Sequence, residues 1–555
     1  MAKKIFSDSE ARKQVLAGAK ALYDAVSVTM GPKGRNVVIG KSYGGPTVTH
    51  DGVTVAKAVD LPVDVKNEAT YGQNIGAELV KQAASKTNDT VGDGTTTSTI
   101  LAYHILEEAN RLIEAGHNPM DLRKGLEDAT EQALAAVNKA AEPISGKKDK
   151  IAQVATVSAG DAEIGNMIAD VMEAVGPEGS VTVEQSQALG IEKEVVEGFK
   201  IDRGYVSAYM VTDPARMEAV YEKPLIMVTD KKITSIQEIL PLLEKVAQGG
   251  KKELVIIAED VEGEALATLV LNRLKGVFNA LAIKAPSFGD RRKAVLEDIA
   301  VLTGATVISD ERGLSFDSVG PEVLGSARKI IADKDSTTII EGTGDPAEVK
   351  TRIGQLKSQI ENATSEFDKE KMEERLAALA GKVAVIKVGG ATETEVEEKK
   401  FRVDDAVAAT KAAVAEGIVP GGAVTLVNIS SDLADRASKL GETERVGWSI
   451  LARAMEQPFK HLMANAGLNA EEKLAKVKDE TKAGLGFDVN DPAKLIDLKT
   501  EGIVDPAKVT KEAIQNAVSV AGTAMTMGSL IVDIPEDKPA GGMPGGGMGG
   551  MDMGY

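Results

Sequence analysis

The sequence predicts a multidomain protein of mixed α and α/β structure, and three observations support this. The chain has 555 residues, which is more than one hydrophobic core can organise. Amphipathic helical patterns occupy both ends of the chain, whereas short apolar runs alternate with helical stretches between about 151 and 387. We therefore expect the two helical arms to pack together as one domain, with an α/β domain inserted between them.

Composition and charge exclude several classes of protein. The formal net charge of −19 argues against a nucleic-acid-binding surface. The absence of cysteine removes disulfides, thiolate zinc sites and cysteine nucleophiles. The stretch MAKKIFSDSE lacks the apolar core of a signal peptide, and no apolar run approaches the ~20 residues of a membrane span. We expect a cytoplasmic protein that binds neither nucleic acid nor membrane.

The N-terminal arm is predicted to be mainly helical. An apolar stripe predicts a helix over 7–28, and Ser7 with Glu10 has the spacing of a capping box. Alternating residues on both sides of Asp51-Gly52 predict a β-hairpin. Further helices are expected near 74–85, 95–115 and 120–141.

The middle of the chain alternates between predicted strands and helices. The predicted strands are LIMVTD, ELVIIAED, NALAIKAP and ATVISD, and the predicted helices include IQEILPLLEKVA and GEALATLVLNRLKG. After about 404, the Ala-rich stretches VDDAVAATKAAVAEG and RVGWSILARAMEQPFKHLMANAG predict long helices. The Gly/Met-rich stretch 541–555 has the composition of a flexible tether.

The segment GDGTTTSTI, residues 92–100, is the most informative motif. A helix N-terminus offers free N–H groups and a partial positive charge, which suit a phosphate group. Threonine hydroxyls add donors and glycine allows close approach, but Asp93 would repel a bare phosphate. Its presence therefore indicates a cation between them, for which Mg²⁺ is the best candidate. From this segment alone, a simple capped helix is an equally good interpretation.

Two further segments favour a nucleotide site. VTMGPKGRN, residues 28–36, is a second Gly-rich loop after a predicted helix. RVDDAVAATKAA places Asp404 and Asp405 together at a predicted helix start, where N-capping is the simpler interpretation of the pair.

Together with VVEGFKIDRGY, FGDRRKA, KVAVIKVGGATE and VPGGA, these motifs make the chain similar to the GroEL-type (group I, 60 kDa) chaperonins over essentially its whole length. The resemblance implies an equatorial domain from 1–140 and 416–555, an intermediate domain from 141–197 and 384–415, and an apical domain from 198–383. It also implies two stacked seven-membered rings that hydrolyse ATP, with Mg²⁺ and K⁺, to enclose unfolded polypeptides under a GroES-type lid.

The resemblance assigns roles to individual residues of the nucleotide site. It implies that Asp405 positions or activates the attacking water, that Asp93 holds Mg²⁺, and that K⁺ lies near Thr29. The other residues expected around the nucleotide are Met30, Gly31, Pro32, His50, Asp51, Gly52, Gly94, Thr95, Thr96, Thr97, Ser158, Gly422, Phe487, Asp488, Val489 and Asp505.

Several positions depart from the family pattern. His50 stands where a Lys usually precedes Asp-Gly, and GFDVND (486–491) replaces the usual Tyr-Asn-Ala-Ala, so that Asp488 puts a base contact in doubt. Lys382 replaces one of a pair of hinge glycines, leaving Gly381 to absorb the bend.

The resemblance also implies a client-binding groove and a domain switch. The groove is expected to contain apolar side chains of two helices and a preceding segment: Tyr205, Tyr209, Leu240, Leu243, Leu266, Val270 and Leu271. The helical spacing also places Ile236 on the face of Leu240 and Leu243. Gly198 and Gly381 are expected to be hinges, and Arg203 and Glu393 to pair between neighbouring subunits.

Two other functions use the same motifs. A small-molecule kinase would pass the phosphate to a metabolite, and would need a compact polar acceptor pocket in the middle domain. A non-hydrolysing scaffold on the same fold would be expected to lack Asp93 or Asp405, and both are present.

Overall fold

The computed structural model describes residues 3–534, apart from 41–45, 65, 177–179, 187, 215, 251 and 363–364. The Gly/Met-rich stretch 541–555 lies outside the described residues. The chain divides into two compact units, Met1–Ala169 with Gly390–Tyr555, and Asp170–Gly389. The predicted boundaries of three domains stay a prediction. In the described part of the chain, no helix combines the length and apolarity needed to cross a membrane.

The helices account for most of the first unit and also contribute to the second. In chain order they are α1 (Asp8–Ser27), α2 (Gly52–Ala58), α3 (Gln73–Val91), α4 (Thr95–Glu114), α5 (Pro119–Ala140), α6 (Lys148–Ala159), α7 (Ala162–Val175), α8 (Ile236–Gln248), α9 (Gly263–Leu274), α10 (Gly289–Thr303), α11 (Pro346–Asn362), α12 (Glu366–Leu379), α13 (Glu393–Glu416), α14 (Val424–Ala437), α15 (Glu442–Met455), α16 (Gln457–Asn465), α17 (Ala470–Lys478) and α18 (Ala507–Met525).

The strands are concentrated in the second unit. In chain order they are β1 (Lys3–Ser7), β2 (Val37–Ile39), β3 (Thr47–Thr49), β4 (Ser180–Gln185), β5 (Gly190–Ile201), β6 (Ala219–Glu222), β7 (Leu225–Val228), β8 (Lys232–Ile233), β9 (Glu253–Ala258), β10 (Asp260–Val261), β11 (Asn279–Lys284), β12 (Gly325–Ala332), β13 (Thr337–Gly342), β14 (Lys382–Gly389), β15 (Ile418–Pro420), β16 (Leu485–Asp488), β17 (Asp491–Asp497), β18 (Val504–Pro506) and β19 (Ser529–Asp533).

The first unit is a helical body whose core combines both ends of the chain. Helices α1, α3, α4, α5, α15 and α18 share one apolar core rich in Ala, Val, Leu and Ile. Small residues let the helix backbones approach closely. A Cβ at Gly18 of α1, for example, would lie only 1.7 Å from the carbonyl oxygen of Gln73 at the start of α3. Strand β1 pairs antiparallel with β19. The prediction that the two arms pack together is therefore confirmed.

The second unit is an α/β domain built on a nine-stranded mixed sheet. Its main path runs β11-β9-β7-β12-β13-β5-β14-β4, and β6 pairs with β12. Strands β7, β9 and β11 are parallel, as are β4 and β14. A core of buried residues lies between this sheet and the helices α8 to α12, which confirms the predicted α/β class.

The predicted hairpin at Asp51-Gly52 is wrong. The hairpin consists of β2 and β3, and it ends before Asp51. Asp51 instead caps α2, since its carboxylate accepts hydrogen bonds from the N–H groups of Val53 and Thr54 at 3.2 and 2.9 Å. Asp-Gly followed by Val-Thr-Val suits both a turn and a helix start, and here the N-cap is the stronger interaction.

Three smaller predictions also need correction. ATVISD contributes only a bridge from Ile308 to Thr229 and is not a strand. Ser7 ends β1, and its side chain makes no capping hydrogen bond. The long helix predicted near 445–467 is divided at Glu456 into α15 and α16. Pro458 lies in the first turn of α16, where its missing N–H costs least.

Candidate functional site

The junction of α3 and α4 places an acidic side chain at a helix N-terminus. Gly92 ends α3 with φ 69°, and Gly94 precedes α4 with φ 79°, a region that favours glycine. A Cβ at Gly94 would also lie 2.7 Å from Cγ1 of Val509. Between them, Oδ1 of Asp93 accepts a hydrogen bond from the N–H of Gly94 at 2.5 Å. The glycines thus fix the carboxylate beside the free N–H groups of α4.

A second helix N-terminus meets the first. A Cβ at Gly52, the first residue of α2, would lie 2.4 Å from Oγ1 of Thr96 and 2.8 Å from Oγ1 of Thr95. Oγ1 of Thr96 also lies 3.0 Å from Oγ1 of the buried Thr29. The starts of α2 and α4 and the end of α1 therefore form one concave, hydroxyl-rich cradle. Such an arrangement suits an anion.

The loop after α1 completes the cradle. Gly31 has φ 79°, and its carbonyl accepts a hydrogen bond from the N–H of Gly34 at 2.8 Å, so that Pro32 lies within a tight turn. Oγ1 of Thr97 lies 3.9 Å from Sδ of Met30. The predicted residues of the two Gly-rich segments are therefore neighbours.

Acidic side chains converge on this cradle. Burial raises the pKa of Asp93, and the charge of Asp51 raises it further, against hydrogen bonds from the Gly94 N–H and from Ser158. Burial raises the pKa of Asp505 to about 7; the charge of Asp93 adds to this shift, and a hydrogen bond from the N–H of Ala423 opposes it. Carboxylates that raise each other's pKa favour a bound cation.

A cation here would need ligands beyond the protein. Within the described ranges, no three side chains of His, Asp or Glu come together as a metal site. Mg²⁺ is typically held by one or two carboxylates together with phosphate oxygens and water, so a single Asp93 in a phosphate cradle fits this ion. Asp93 and the nearby hydroxyl of Thr29 are the side chains that would hold metal ions.

The segments expected near the nucleoside lie around Asp505. Val419 of β15 pairs with Asp505 of β18, and Gly422 follows β15 with φ 60°. Residues 486–491 form the tip of the β16–β17 hairpin. Phe487 is buried, with Nζ of Lys473 at 4.1 Å from its ring centroid.

The two residues after Phe487 are oriented within that hairpin. Asp488 accepts a hydrogen bond from the N–H of Asn490 at 2.8 Å, and Val489 packs against the core. The carboxylate of Asp488 is therefore engaged in a local turn.

Helix α13 brings Asp405 to the acidic side of the cradle. A Cβ at Gly92 would lie 2.4 Å from Cβ of Ala408, one turn after Asp405. A cavity of about 230 Å³ lies between α13 and the end of β3, and both His50 and Asp51 line it together with Asp405. Asp405 and Asp51, far apart in sequence, therefore share one cavity.

Arg402 lines the same cavity and was not predicted. It pairs with Glu398 at 2.9 Å and donates to the carbonyl oxygen of Ala159 at 3.3 Å. Its spacing of three residues from Asp405 puts both on one helical face, and this signal was available in RVDDA.

In the second unit, the predicted apolar residues fall into three groups by exposure. Tyr209 and Leu271 are 70% and 50% exposed, whereas Ile236 is buried. Leu240 is half-buried, and so are four residues packed against the domain core: Tyr205, Leu243, Leu266 and Val270. Helices α8 and α9 lie side by side. Leu274 and Val277, which were not predicted, extend the exposed apolar surface beyond Leu271.

The predicted hinge glycines are adjacent in the second unit. The N–H of Gly198 lies 3.4 Å from the carbonyl oxygen of Gly381. A Cβ at Gly198 would lie 2.1 Å from Cγ2 of Val383, so a close approach requires glycine there. Arg203 is exposed in this unit, and Glu393, the first residue of α13, is exposed in the other.

Replacing Asp505 with Asn is expected to stabilise the ligand-free protein in a pH-dependent way. A carboxyl group whose pKa is about 7 when folded but about 4 when unfolded lowers stability progressively as pH rises from ~4 to ~7. The gain of Asp505→Asn over wild type, measured by urea denaturation, should therefore grow across that range and then level off. Asp497→Asn is the control, since Lys482 lowers the pKa of Asp497 and the sign should reverse. A gain independent of pH would contradict this assignment.

Two comparisons with known proteins identify the family and a similar fold. Residues 22–535 match the model of the TCP-1/cpn60 chaperonin family. The fold is similar to a crystal structure of the chaperonin gp146 from bacteriophage EL (Pseudomonas aeruginosa), which was determined in the presence of ATP-BeFx. The match has a TM-score of 0.67 and 20% identity, and covers 95% of this chain and 99% of that one. With a family match over nearly its whole length, the chain belongs to the TCP-1/cpn60 chaperonins.

Proposed function

We propose that this protein is an ATP-driven chaperonin that captures unfolded polypeptides and promotes their folding. The observation that carries this proposal is the position of Asp405 on α13, in a cavity shared with Asp51 at the edge of the Asp93 cradle. Phosphoryl transfer depends mainly on positioning and electrostatic stabilisation, so a cradle, a cation and one well-placed carboxylate suffice. The similarity to a chaperonin determined with ATP-BeFx supports nucleotide as the anion.

In this proposal different residues have different roles in binding and hydrolysis. The N–H groups at the start of α4, with the threonine hydroxyls, bind the phosphates. Asp93 would hold Mg²⁺, an ion that would neutralise phosphate charge, and Thr29 is the side chain that would lie near K⁺. Asp405 orients the attacking water and accepts its proton.

Asp405→Ala is expected to slow ATP hydrolysis by about a hundredfold or more while the Kd of ATP changes little. General-base groups typically contribute 10²–10⁴-fold to rate, and Asp405 lies outside the phosphate cradle. Single-turnover phosphate release and calorimetric binding measure the two effects separately. Glu397→Ala is the control, because Glu397 lines the same cavity and its loss changes the net charge equally. Equal slowing in both variants would remove Asp405 from the mechanism. Phosphate release without an added acceptor also separates this protein from a metabolite kinase.

Client capture is assigned to the exposed apolar surface of α8 and α9. Tyr209, Leu271 and Leu274 are exposed on the second unit, and the half-buried Leu240 and Leu243 lie on the neighbouring helix. An exposed apolar surface of this kind marks an interaction site. A flexible apolar segment of an unfolded protein fits a groove between two helices.

Leu271→Glu is expected to reduce binding of an unfolded client at least about tenfold, because a charge on the groove must be desolvated when an apolar segment binds. Binding of a fluorescently labelled, denatured protein measures this effect. Leu189→Glu is the matched control, since Leu189 is 78% exposed outside α8 and α9. Full client binding by Leu271→Glu, with the native mass unchanged, would exclude this surface.

Several finer features remain proposals that rest on the family resemblance. They are two stacked seven-membered rings, a GroES-type lid, a cytoplasmic location, bending at Gly198 and Gly381, and the pairing of Arg203 with Glu393 between subunits. An exposed pair contributes only about 0–1 kcal/mol, but repetition around a ring would favour concerted switching.

A further inference from the structure

A chain of hydrogen bonds joins three helices of the first unit behind the loop after α1. Oη of Tyr23 on α1 lies 2.5 Å from Nε2 of His461 on α16 and 3.3 Å from Nε2 of His104 on α4. The ring of Tyr23 also stacks on that of Tyr103, with centroids 4.3 Å apart. These partners fix the Tyr23 side chain on both its polar and its apolar sides.

The direction of each hydrogen bond follows from one carboxylate. Glu107 lies 3.0 Å from Nδ1 of His104, and a carboxylate can only accept, so Nδ1 of His104 carries the proton. Nε2 of neutral His104 then accepts from the hydroxyl of Tyr23, and Tyr23 in turn accepts from the Nε2–H of His461. Burial, with the nearby His104, lowers the pKa of His461 to about 4, which keeps this imidazole neutral.

One turn further along α16, Asn465 binds the loop after α1. The side-chain amide of Asn465 donates to the carbonyl oxygens of Ser27 and Met30 at 3.1 and 3.0 Å. Since carbonyl oxygens only accept, the nitrogen of the amide must face them. Tyr23 precedes Ser27 by one turn, as His461 precedes Asn465. Helix α16 therefore forms hydrogen bonds at two places: with the last turn of α1, and with the segment that leads from α1 into the loop.

Packing adds to these hydrogen bonds. A Cβ at Gly31 would lie 2.9 Å from Cγ of Leu462, which follows His461 on α16. Thr29, between the two carbonyl groups that Asn465 binds, contacts Thr96 at the start of α4. A shift of α16 would thus move the loop relative to the start of α4, the other part of the phosphate cradle.

We propose that Asn465 and His461 are positioning residues for nucleotide binding, which act through the loop 28–32 and not by contact with the nucleotide. This inference rests on the proposed function, which assigns that loop to the nucleotide. Loss of either residue would leave the loop able to adopt other conformations, and only the fraction in the competent conformation would bind. The water-activating Asp405 lies on a different helix, so the chemical step in bound complexes would change little.

Asn465→Ala is expected to raise both the KM and the Kd of ATP about tenfold, because it removes two hydrogen bonds that hold the loop. The kcat should stay within about twofold of wild type. The control is Asn138→Ala, which removes an exposed side chain that bonds Lys511 elsewhere in the same unit. Calorimetric binding of ATP and steady-state hydrolysis by the full-length protein give both quantities. An unchanged Kd with only a lower unfolding temperature would show that Asn465 merely stabilises the fold, and would overturn the proposal.

The role of His461 is tested with two substitutions, of which one keeps a hydrogen-bond donor and one does not. His461→Gln keeps an amide donor near the Nε2 position and should retain near-wild-type KM, whereas His461→Leu should raise KM several-fold. Equal KM values for the two variants would contradict a role for the hydrogen bond to Tyr23. Failure of the wild type to bind ATP would instead overturn the proposed function, so the two failures can be told apart.

Discussion

The structure of the site depends on the need to hold several carboxylates close together. Each is oriented by a different backbone group: Asp51 by the N–H groups that it caps, Asp93 by Gly94, and Asp505 by Ala423. Burial raises the pKa of Asp93 and of Asp505, and repulsion from a neighbouring carboxylate raises each further, which destabilises the ligand-free protein. A cation and a phosphate would remove this cost together. The left-handed glycines and the close contacts of two helix starts follow from this one requirement.

Helix α13 connects that site to the rest of the first unit. Its middle packs on Gly92 through Ala408, so its position is coupled to the backbone turn that sets Asp93. Its first residue, Glu393, lines the same cavity as Asp405, more than three helical turns away. A helix that carries the proposed water-activating group on a cavity wall can therefore gate chemistry by small movements. Helix α16 fixes the loop after α1, which adjoins the start of α4 through Thr29 and Thr96.

The sequence predicted local features best. The start of α4 at Thr95 follows from glycine and threonine chemistry within a few residues. Asp51 was misassigned because Asp-Gly suits both a turn and a helix start, and here the Asp51 carboxylate caps α2. Helical spacing also cannot distinguish the buried Ile236 from the exposed Leu271, since the neighbouring sheet determines which face is covered. The proximity of Asp505 to Asp93 has no local signal at all, and only the family resemblance placed them together.

The central claim is that a cation at Asp93 strengthens the binding of nucleotide in the cradle. Calorimetric titration of ATP into the wild-type protein, once with Mg²⁺ and once with EDTA, tests this most directly. The account predicts that removal of Mg²⁺ weakens binding by at least about tenfold, because the carboxylates then face bare phosphate, and that Asp93→Ala loses most of this dependence. Equal affinity of the wild type with and without Mg²⁺ would contradict the account.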